Sequence, residues 1–185
     1  MSTVLIVIIA VVVVLLLSII GIFNRLIVLR NRGKEAWADI DVQLKRRYNL
    51  IPNLVNTVKG YAEHERGLFE RVTQARAQAM SAQGAGAKGK AENMLADTLK
   101  SLFAVVENYP NLKASDNFKH LQEELTDTED KVQAARRFYN NNVKALNIKI
   151  ESFPSNMVAR SFGFKKMELF ELVEAAEREA PKVEF

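Results

Sequence analysis

The chain has 185 residues, a formal net charge of +4 and no cysteine. This length suits one domain plus an anchor, since domains usually contain about 50 to 250 residues. The absence of cysteine excludes disulfides, thiolate nucleophiles and cysteine-ligated metal sites. Acidic and basic residues are interleaved rather than gathered into a basic tract, which argues against a nucleic-acid-binding protein.

The first element is an apolar segment from Val4 to Phe23 that contains no charged residue. It matches the ~20 residues that cross about 30 Å of hydrocarbon as a helix. A cleavable signal peptide would show a basic start and a small-x-small cleavage site, and the segment has neither, so we expect a retained transmembrane helix. Basic residues follow the segment but do not precede it: Arg25, Arg30, Arg32 and Lys34. The positive-inside rule therefore predicts a cytoplasmic C-terminal domain.

Helical periodicity continues beyond the anchor. Apolar residues recur three, four and seven positions apart, which is typical of an amphipathic helix, at Trp37, Ile40, Leu44 and Ile51. No Gly or Pro lies between Gly21 and Gly33, so we expect this helix to continue from the membrane helix. Pro52 is expected to interrupt it. A second apolar series from Leu54 to Ala75 then predicts one long amphipathic helix.

The next predicted helices are bounded by glycine and proline. The segment Gly84 to Gly89 predicts a flexible loop, after which a third helix runs until Pro110 ends it. The longest predicted helix runs from about Asp116 to Glu151 and is closed by Phe153-Pro154. One apolar stripe follows it: Phe118, Leu121, Leu125, Val132, Ala135, Tyr139, Leu146 and Ile150.

These elements predict an all-α protein in which one N-terminal transmembrane helix precedes an antiparallel bundle of three to four long helices, because narrow apolar stripes on connected helices need partners. The predicted organisation is an anchor over residues 1–24, a bundle over residues 25–160, and a short C-terminal helix with an acidic tail over residues 161–185.

The only local match to a phosphate-binding motif lies at Gly84 to Lys90, which fits G-x-G-x-x-G and most of G-x-x-x-x-G-K. Both motifs require a preceding strand, but a helix is predicted there, and Ala91 stands where a magnesium-binding hydroxyl is needed. His64 and His120 are too few for a histidine metal site. We therefore expect no catalytic residues, no cofactor and no metal, and a protein that is not an enzyme.

Two segments are candidate interfaces. Phe153, Met157, Phe162 and Phe164 form an apolar strip that either caps the bundle or docks on another chain. Lys45, Arg46 and Arg47 form a basic cluster that is a solvated face or a contact with lipid headgroups or acidic neighbours.

Two longer stretches resemble the signatures of the LemA family. The first is Ala36 to Val55, continuing through Val58-Lys59-Gly60-Tyr61 and His64-Glu65. The second comprises Tyr139-Asn140, Val143, Ile150-Glu151, Phe153-Pro154, Asn156 and Phe162-Gly163-Phe164. Leu146 departs from the family pattern, which often has Tyr there. The resemblance implies a single-pass bacterial membrane protein with long helices and no established catalytic activity, and it carries over no active-site residues.

The sequence therefore supports two hypotheses. The first is a membrane scaffold that self-associates into a homo-oligomer, in coiled-coil fashion, in the bacterial inner membrane. The alternative is an adaptor or regulator that docks on another membrane protein, such as a metalloprotease. The resemblance implies this alternative, because LemA relatives are often encoded beside membrane metalloproteases. Both hypotheses include the lipid bilayer as a binding partner of the protein.

Overall fold

The computed structural model describes residues 2–171, and this part of the chain is almost entirely helical. Its helices are α1 (Thr3–Lys59), α2 (Arg66–Ser81), α3 (Ala85–Val106), α4 (Pro110–Ala114), α5 (Asp116–Glu151) and α6 (Ser155–Ser161). No strand occurs within residues 2–171, and the all-α prediction is confirmed. The acidic tail predicted at the C-terminus lies mostly outside the described residues.

Helix α1 is one continuous element, as predicted, so the expected anchor boundary at residue 24 falls inside a helix. The prediction that Pro52 interrupts this helix was wrong, because α1 runs through Pro52 to Lys59. Proline removes one N–H, and the carbonyl four residues earlier, that of Tyr48, loses its helical partner. Arg76 Nε donates to that carbonyl at 2.7 Å, and the helix continues.

The single helix predicted from Leu54 to Ala75 was also wrong, because the chain turns between Lys59 and Arg66. The N–H groups of Tyr61 and Ala62 both donate to the Val58 carbonyl, each at 3.0 Å. Gly60 lies at this turn and costs about 1 kcal/mol relative to Ala inside a helix. The apolar repeat therefore belongs to two helices.

The predicted loop at Gly84 to Gly89 is instead the start of α3, so this prediction needs correction. Within this segment only Gly84, at the position just before the helix, has a positive φ, of 81°. At Gly89 the backbone of Glu171 comes very close to α3, because a Cβ on Gly89 would lie 2.4 Å from the Glu171 carbonyl oxygen. Its lack of a side chain, rather than flexibility, is what the fold uses.

The described chain divides into two compact units. The anchor unit contains the residues up to Ala38 together with Arg137–Met167, and the hairpin unit contains Asp39–Arg136 with the described residues from Glu168 on. Both long helices, α1 and α5, contribute to both units.

The core of the hairpin unit is built by α1, α2, α3 and α5. Helices α2 and α3 pack against each other and are joined by only residues 82–84. Helices α1 and α5 run antiparallel, because Arg46 pairs with Glu124 whereas Thr57, farther along α1, bonds the earlier Asn117. Fully buried side chains from all four helices fill the centre, including Ile40, Leu54, Val72, Leu95, Leu102 and Val132.

The anchor unit packs α6 and the end of α5 against the middle of α1. Its core cluster consists of Leu26, Leu29, Leu146, Val158 and Ala159, with Ile22, Phe23, Ile150, Phe164 and Met167 partly buried around it. The Trp37 and Tyr139 rings meet edge-on with centroids 5.2 Å apart. The stripe predicted on α5 is confirmed across the two units, since most of its members are buried.

Candidate functional site

The apolar start of α1 has no protein covering it. None of its most apolar stretch is buried within the structure, and every residue from Val4 to Ile20 is exposed. The Ser18 hydroxyl donates to the Val14 carbonyl at 2.8 Å, which satisfies it within the helix, as hydrocarbon requires. A helix of this length and composition, left bare by the rest of the protein, is a candidate transmembrane helix.

The predicted apolar strip lies beside the end of this segment. Phe162 and Phe164 both contact Phe23, with ring centroids 4.8 Å and 5.8 Å away. The Arg30 guanidinium lies 5.3 Å from the centre of the Phe164 ring, a cation–π distance. Two residues of the strip are therefore anchored on α1 where the apolar segment ends.

The other face of the strip is exposed. Phe153, Met157 and Phe162 are 80%, 63% and 57% exposed, whereas Val158 and Ala159 turn inward. The Ser155 hydroxyl is held near the carbonyls of Lys149 and Ser152, at 2.6 Å and 2.9 Å, which fixes the start of α6 on the end of α5. A short, firmly attached helix thus presents large apolar side chains outward, which marks a contact surface.

The basic cluster is divided by the fold. Lys45 is exposed, and Arg46 forms ion pairs with Glu124 at 2.5 Å and Asp127 at 3.3 Å. Arg47 is only 5% exposed. It pairs with the buried Glu92 at 3.2 Å and with Glu129 at 3.0 Å. Three residues that look like one surface patch in the sequence therefore have three different environments, and Lys45 alone is fully open to a partner.

A buried polar network surrounds Glu92 in the hairpin unit. The Tyr48 hydroxyl donates a short hydrogen bond to its fully buried carboxyl group, and Arg47 lies on the other oxygen. The ammonium of Lys88, also buried, donates to the Ala79 carbonyl at 2.9 Å. Burial raises the pKa of Glu92, against the opposing effects of the Tyr48 hydrogen bond and the Arg47 charge. Burial and Glu92 together raise the pKa of Tyr48.

This network joins α1, α2 and α3 through side chains that sequence analysis did not single out. Glu92 has no exposed surface, so a substrate in solution cannot reach its carboxyl group. Lys88 stands among glycines, where the sequence predicts a loop, and nothing in the spacing of Glu92 distinguishes it from the neighbouring surface charges. The contacts of this network are all with groups of α1, α2, α3 and α5 of the protein itself.

A further surface lies on α5 in the anchor unit. Phe138, Asn141, Ala145 and Ile148 are all exposed and uncharged, and they follow one another at intervals of three, four and three residues. We call these four residues the α5 seam. Tyr139, Val143 and Leu146, on the buried side of the same helix, belong to the core. Sequence analysis missed the seam, although its spacing is visible, because the more apolar stripe on α5 accounts for the helix by itself.

Within residues 2–171, no group of three or more histidine, aspartate or glutamate side chains is placed to hold a metal ion. The Gly84 to Lys90 motif follows helix α2 rather than a strand. The backbone N–H of Gly86 faces the Glu168 carboxylate at 3.4 Å, so a side chain of the protein itself lies at the start of α3.

The fold and these surfaces define a class of protein: membrane-associated, all-helical, with an apolar N-terminal helix that the rest of the chain leaves bare. The LemA family model matches residues 36–185, and the chain belongs to the LemA family.

Relatives fall into two groups by name. Magnetosome protein MamQ of Magnetospirillum gryphiswaldense is 25% identical over 174 residues, covering 80% of this chain and 64% of MamQ. Magnetosome protein MamQ 2 of Paramagnetospirillum magneticum is 26% identical with the same coverage. Protein LemA of Metamycoplasma hominis is 26% identical over 156 residues, covering 84% of this chain and 71% of the relative. The chain thus spans less than two thirds of the length of the MamQ proteins.

Proposed function

We propose that this chain is a non-enzymatic, single-pass membrane protein that self-associates as a scaffold, and that the α5 seam is its contact between copies. The observation that carries the proposal is the seam itself. Phe138 and Ile148 are 55% and 62% exposed although both are large apolar side chains. Apolar residues that alternate at three and four positions form the seam of a helix pair, where each inserts between side chains of a facing helix.

A second copy fits the chemistry of the seam. In a two-fold interface the same residues meet on both partners, so a self-complementary surface is required. Ala145 lets two helix backbones approach closely, and Asn141 can hydrogen bond with its counterpart, which fixes the register of a helix pair. Anchoring in one bilayer also raises the effective concentration of copies near one another.

The placement we propose is the bacterial inner membrane with the helical units in the cytoplasm. Arg25, Arg30, Arg32 and Lys34 follow the apolar segment, and all four are exposed. Basic residues at this position are retained on the cytoplasmic side of a membrane.

The absence of catalysis is part of the proposal. The ionisable groups in the core of the hairpin unit, Arg47, Lys88 and Glu92, are engaged with groups of the protein itself. The name of the MamQ relatives assigns those proteins to magnetosomes, but the chain spans 64% of their length, and we extend no magnetosome role to it.

The test is the mass of the full-length protein in detergent by light scattering, with the detergent contribution subtracted. We expect a defined multiple of 20.9 kDa for the wild type and the single-chain mass for Ile148→Glu. Lys144→Gln is the matched control, since Lys144 is exposed on the same stretch of α5 but flanks the seam rather than belonging to it. It should leave the mass unchanged, and circular dichroism should show that both variants remain helical.

A cross-linking experiment in native membranes complements the mass. Because the chain has no cysteine, a single Ala145→Cys substitution gives a unique thiol, which should form a dimer on mild oxidation while Lys144→Cys does so less. A wild type that is monomeric in detergent, together with an Ala145→Cys variant that yields no dimer in membranes, would refute self-association. In that case, cross-linking of Ala145→Cys to one unlike membrane protein would favour the adaptor hypothesis.

A further inference from the structure

Phe162 lies against the residue that ends the apolar segment. Its ring centroid is 4.8 Å from that of Phe23, and both residues belong to the anchor unit. If α1 crosses a bilayer with its apolar residues in hydrocarbon, Phe23 lies at the boundary with the headgroups, and Phe162 must lie at the same depth. The contact therefore gives α6 a position relative to the membrane.

We infer that α6 and its flanking phenylalanines rest in the headgroup layer of the bilayer, with Phe153, Met157 and Phe162 in contact with lipid. This inference depends on the membrane anchor in the proposed function and is independent of self-association. It assigns a lipid surface to residues that the sequence marks only as a possible interface.

The depth of α6 follows from its packing on α1. The inward residues Val158 and Ala159 join the cluster of Leu26 and Leu29. At 1.5 Å per residue, Leu29 lies about 9 Å beyond Phe23 along the helix. The headgroup layer on each side of the hydrocarbon is roughly 5 to 8 Å thick. Helix α6 is thus attached to the part of α1 that emerges through the headgroups.

The side chains of the segment suit that layer. The exposed residues Phe153, Met157 and Phe162 are large and apolar, while Arg160 and Lys165 between and after them are exposed and basic. Interfacial segments combine bulky apolar residues that enter the acyl boundary with cations that attract anionic lipids. Arg30, stacked on Phe164, adds a third cation beside the strip.

Lipid is favoured over a second copy because the strip is continuous with the apolar segment through Phe23. A bilayer that surrounds the bare helix up to Phe23 already reaches Phe162, and no further partner is needed to cover the exposed apolar surface.

The test places single cysteines in this cysteine-free chain and labels them with an environment-sensitive fluorophore. Full-length Met157→Cys is reconstituted in vesicles of three parts phosphatidylcholine to one part phosphatidylglycerol, with a nitroxide-bearing lipid or aqueous iodide as quencher. The matched control is Lys144→Cys. Lys144 is exposed and neighbours Val143, which lies near Gly33, about 15 Å past Phe23 along α1. Met157→Cys is preferred to Phe162→Cys because Phe162 packs on Phe23.

We expect the nitroxide lipid to quench the label at 157 about twofold or more above the label at 144, since only the first lies within the headgroup layer. A label at 157 that iodide quenches and the lipid does not would overturn the inference, because the strip would then face water. A label shielded from both quenchers would also overturn it and show that protein covers the strip. A label on Leu15→Cys, in the middle of the apolar segment, tests the membrane anchor separately. The nitroxide lipid must quench this label whenever α1 is inserted, so the absence of quenching at 15 would mean that the proposed anchor, and not the placement of α6, is wrong.

Discussion

Arg76 supplies the hydrogen bond that Pro52 cannot make. Its Nε donates at 2.7 Å to the Tyr48 carbonyl, the group that a residue other than proline at position 52 would have bonded. A side chain of α2 thus stabilises the interior of α1 and links the two helices at the point where the sequence suggests a break.

This hydrogen bond predicts that substitutions at Arg76 and Pro52 have coupled effects on the free energy of unfolding. Arg76→Met should lower the free energy of unfolding by about 1 to 3 kcal/mol, because a partly buried carbonyl loses the donor that replaces the missing N–H of Pro52. In a Pro52→Ala background the backbone N–H returns, and the same substitution should cost clearly less. Thermal unfolding of the two single variants and the double variant in detergent measures the coupling, and equal costs in both backgrounds would contradict it.

Removing Arg47 should be far more damaging than removing its neighbour. Arg47→Met leaves the buried Glu92 carboxyl without its cationic partner, and we expect a loss of about 3 to 5 kcal/mol. Arg46→Met, which breaks only the exposed pairs with Glu124 and Asp127, should change the melting temperature little. Arg47→Met combined with Glu92→Leu should recover much of the loss, and a double variant as unstable as Arg47→Met would show that packing of the arginine, not its charge, is what matters.

The buried carboxyl should also give stability a dependence on pH. Burial raises the pKa of Glu92 above its ordinary value of 4.5, so the folded protein retains a proton at pH values where the unfolded chain has released it. The stabilisation from this proton is present below pH 4.5 and is lost as the pH rises through the raised pKa. The free energy of unfolding of the wild type minus that of Glu92→Gln should therefore fall as the pH rises across this range.

Unfolding of both proteins at a series of pH values checks this prediction. The difference should level off once the pH exceeds the folded pKa of Glu92. A difference that instead grows with pH would mean that Arg47 and Tyr48 outweigh burial and that the pKa of Glu92 is lowered.

Two glycines at the start of α3 should respond in opposite ways to alanine. Gly89→Ala places a Cβ 2.4 Å from the Glu171 carbonyl oxygen, so the backbone must shift, and we expect a loss of about 1 to 3 kcal/mol. At Gly86 the nearest atom to a Cβ is the flexible Glu168 Oε2 at 3.5 Å, an ordinary contact, and the gain in helix propensity should keep stability equal or raise it. Melting temperatures of the two variants test the contrast, which would fail if both lost stability equally.

The sequence predicts α5 almost completely because the signals that define this helix lie within it or directly beside it. Its apolar residues repeat with helical spacing, Ser115 precedes its start, and Pro154 follows its end. The end of α1 could not be predicted in this way. Pro52 carries a strong local signal for a break, and the group that removes its effect, Arg76, stands on another helix.

The candidate surfaces show the same contrast between features that depend on local sequence and features that depend on residues from other helices. The sequence left open whether Phe153, Met157 and Phe162 cap the bundle or face outward, because large apolar side chains after a helix end are typical of both, and the structure leaves all three exposed. The burial of Arg47 was not foreseeable, because basic residues are usually exposed and its partners Glu92 and Glu129 are distant in sequence. Local pattern locates helices, whereas the pairing of charges depends on which helices meet.

The anchor unit is assembled from opposite ends of the chain, and this sets an order of events during synthesis. Leu26 and Leu29 leave the ribosome directly behind the anchor, but Leu146, which packs on them, follows Leu29 by about 120 residues. At the ~5 to 20 residues per second of translation, that interval is roughly 6 to 24 s. During that time the candidate transmembrane helix is already available for insertion, while the apolar side chains next to it lack their partners from α5 and α6. We therefore expect the nascent chain to depend on the bilayer, or on chaperones beside it, to keep these side chains covered.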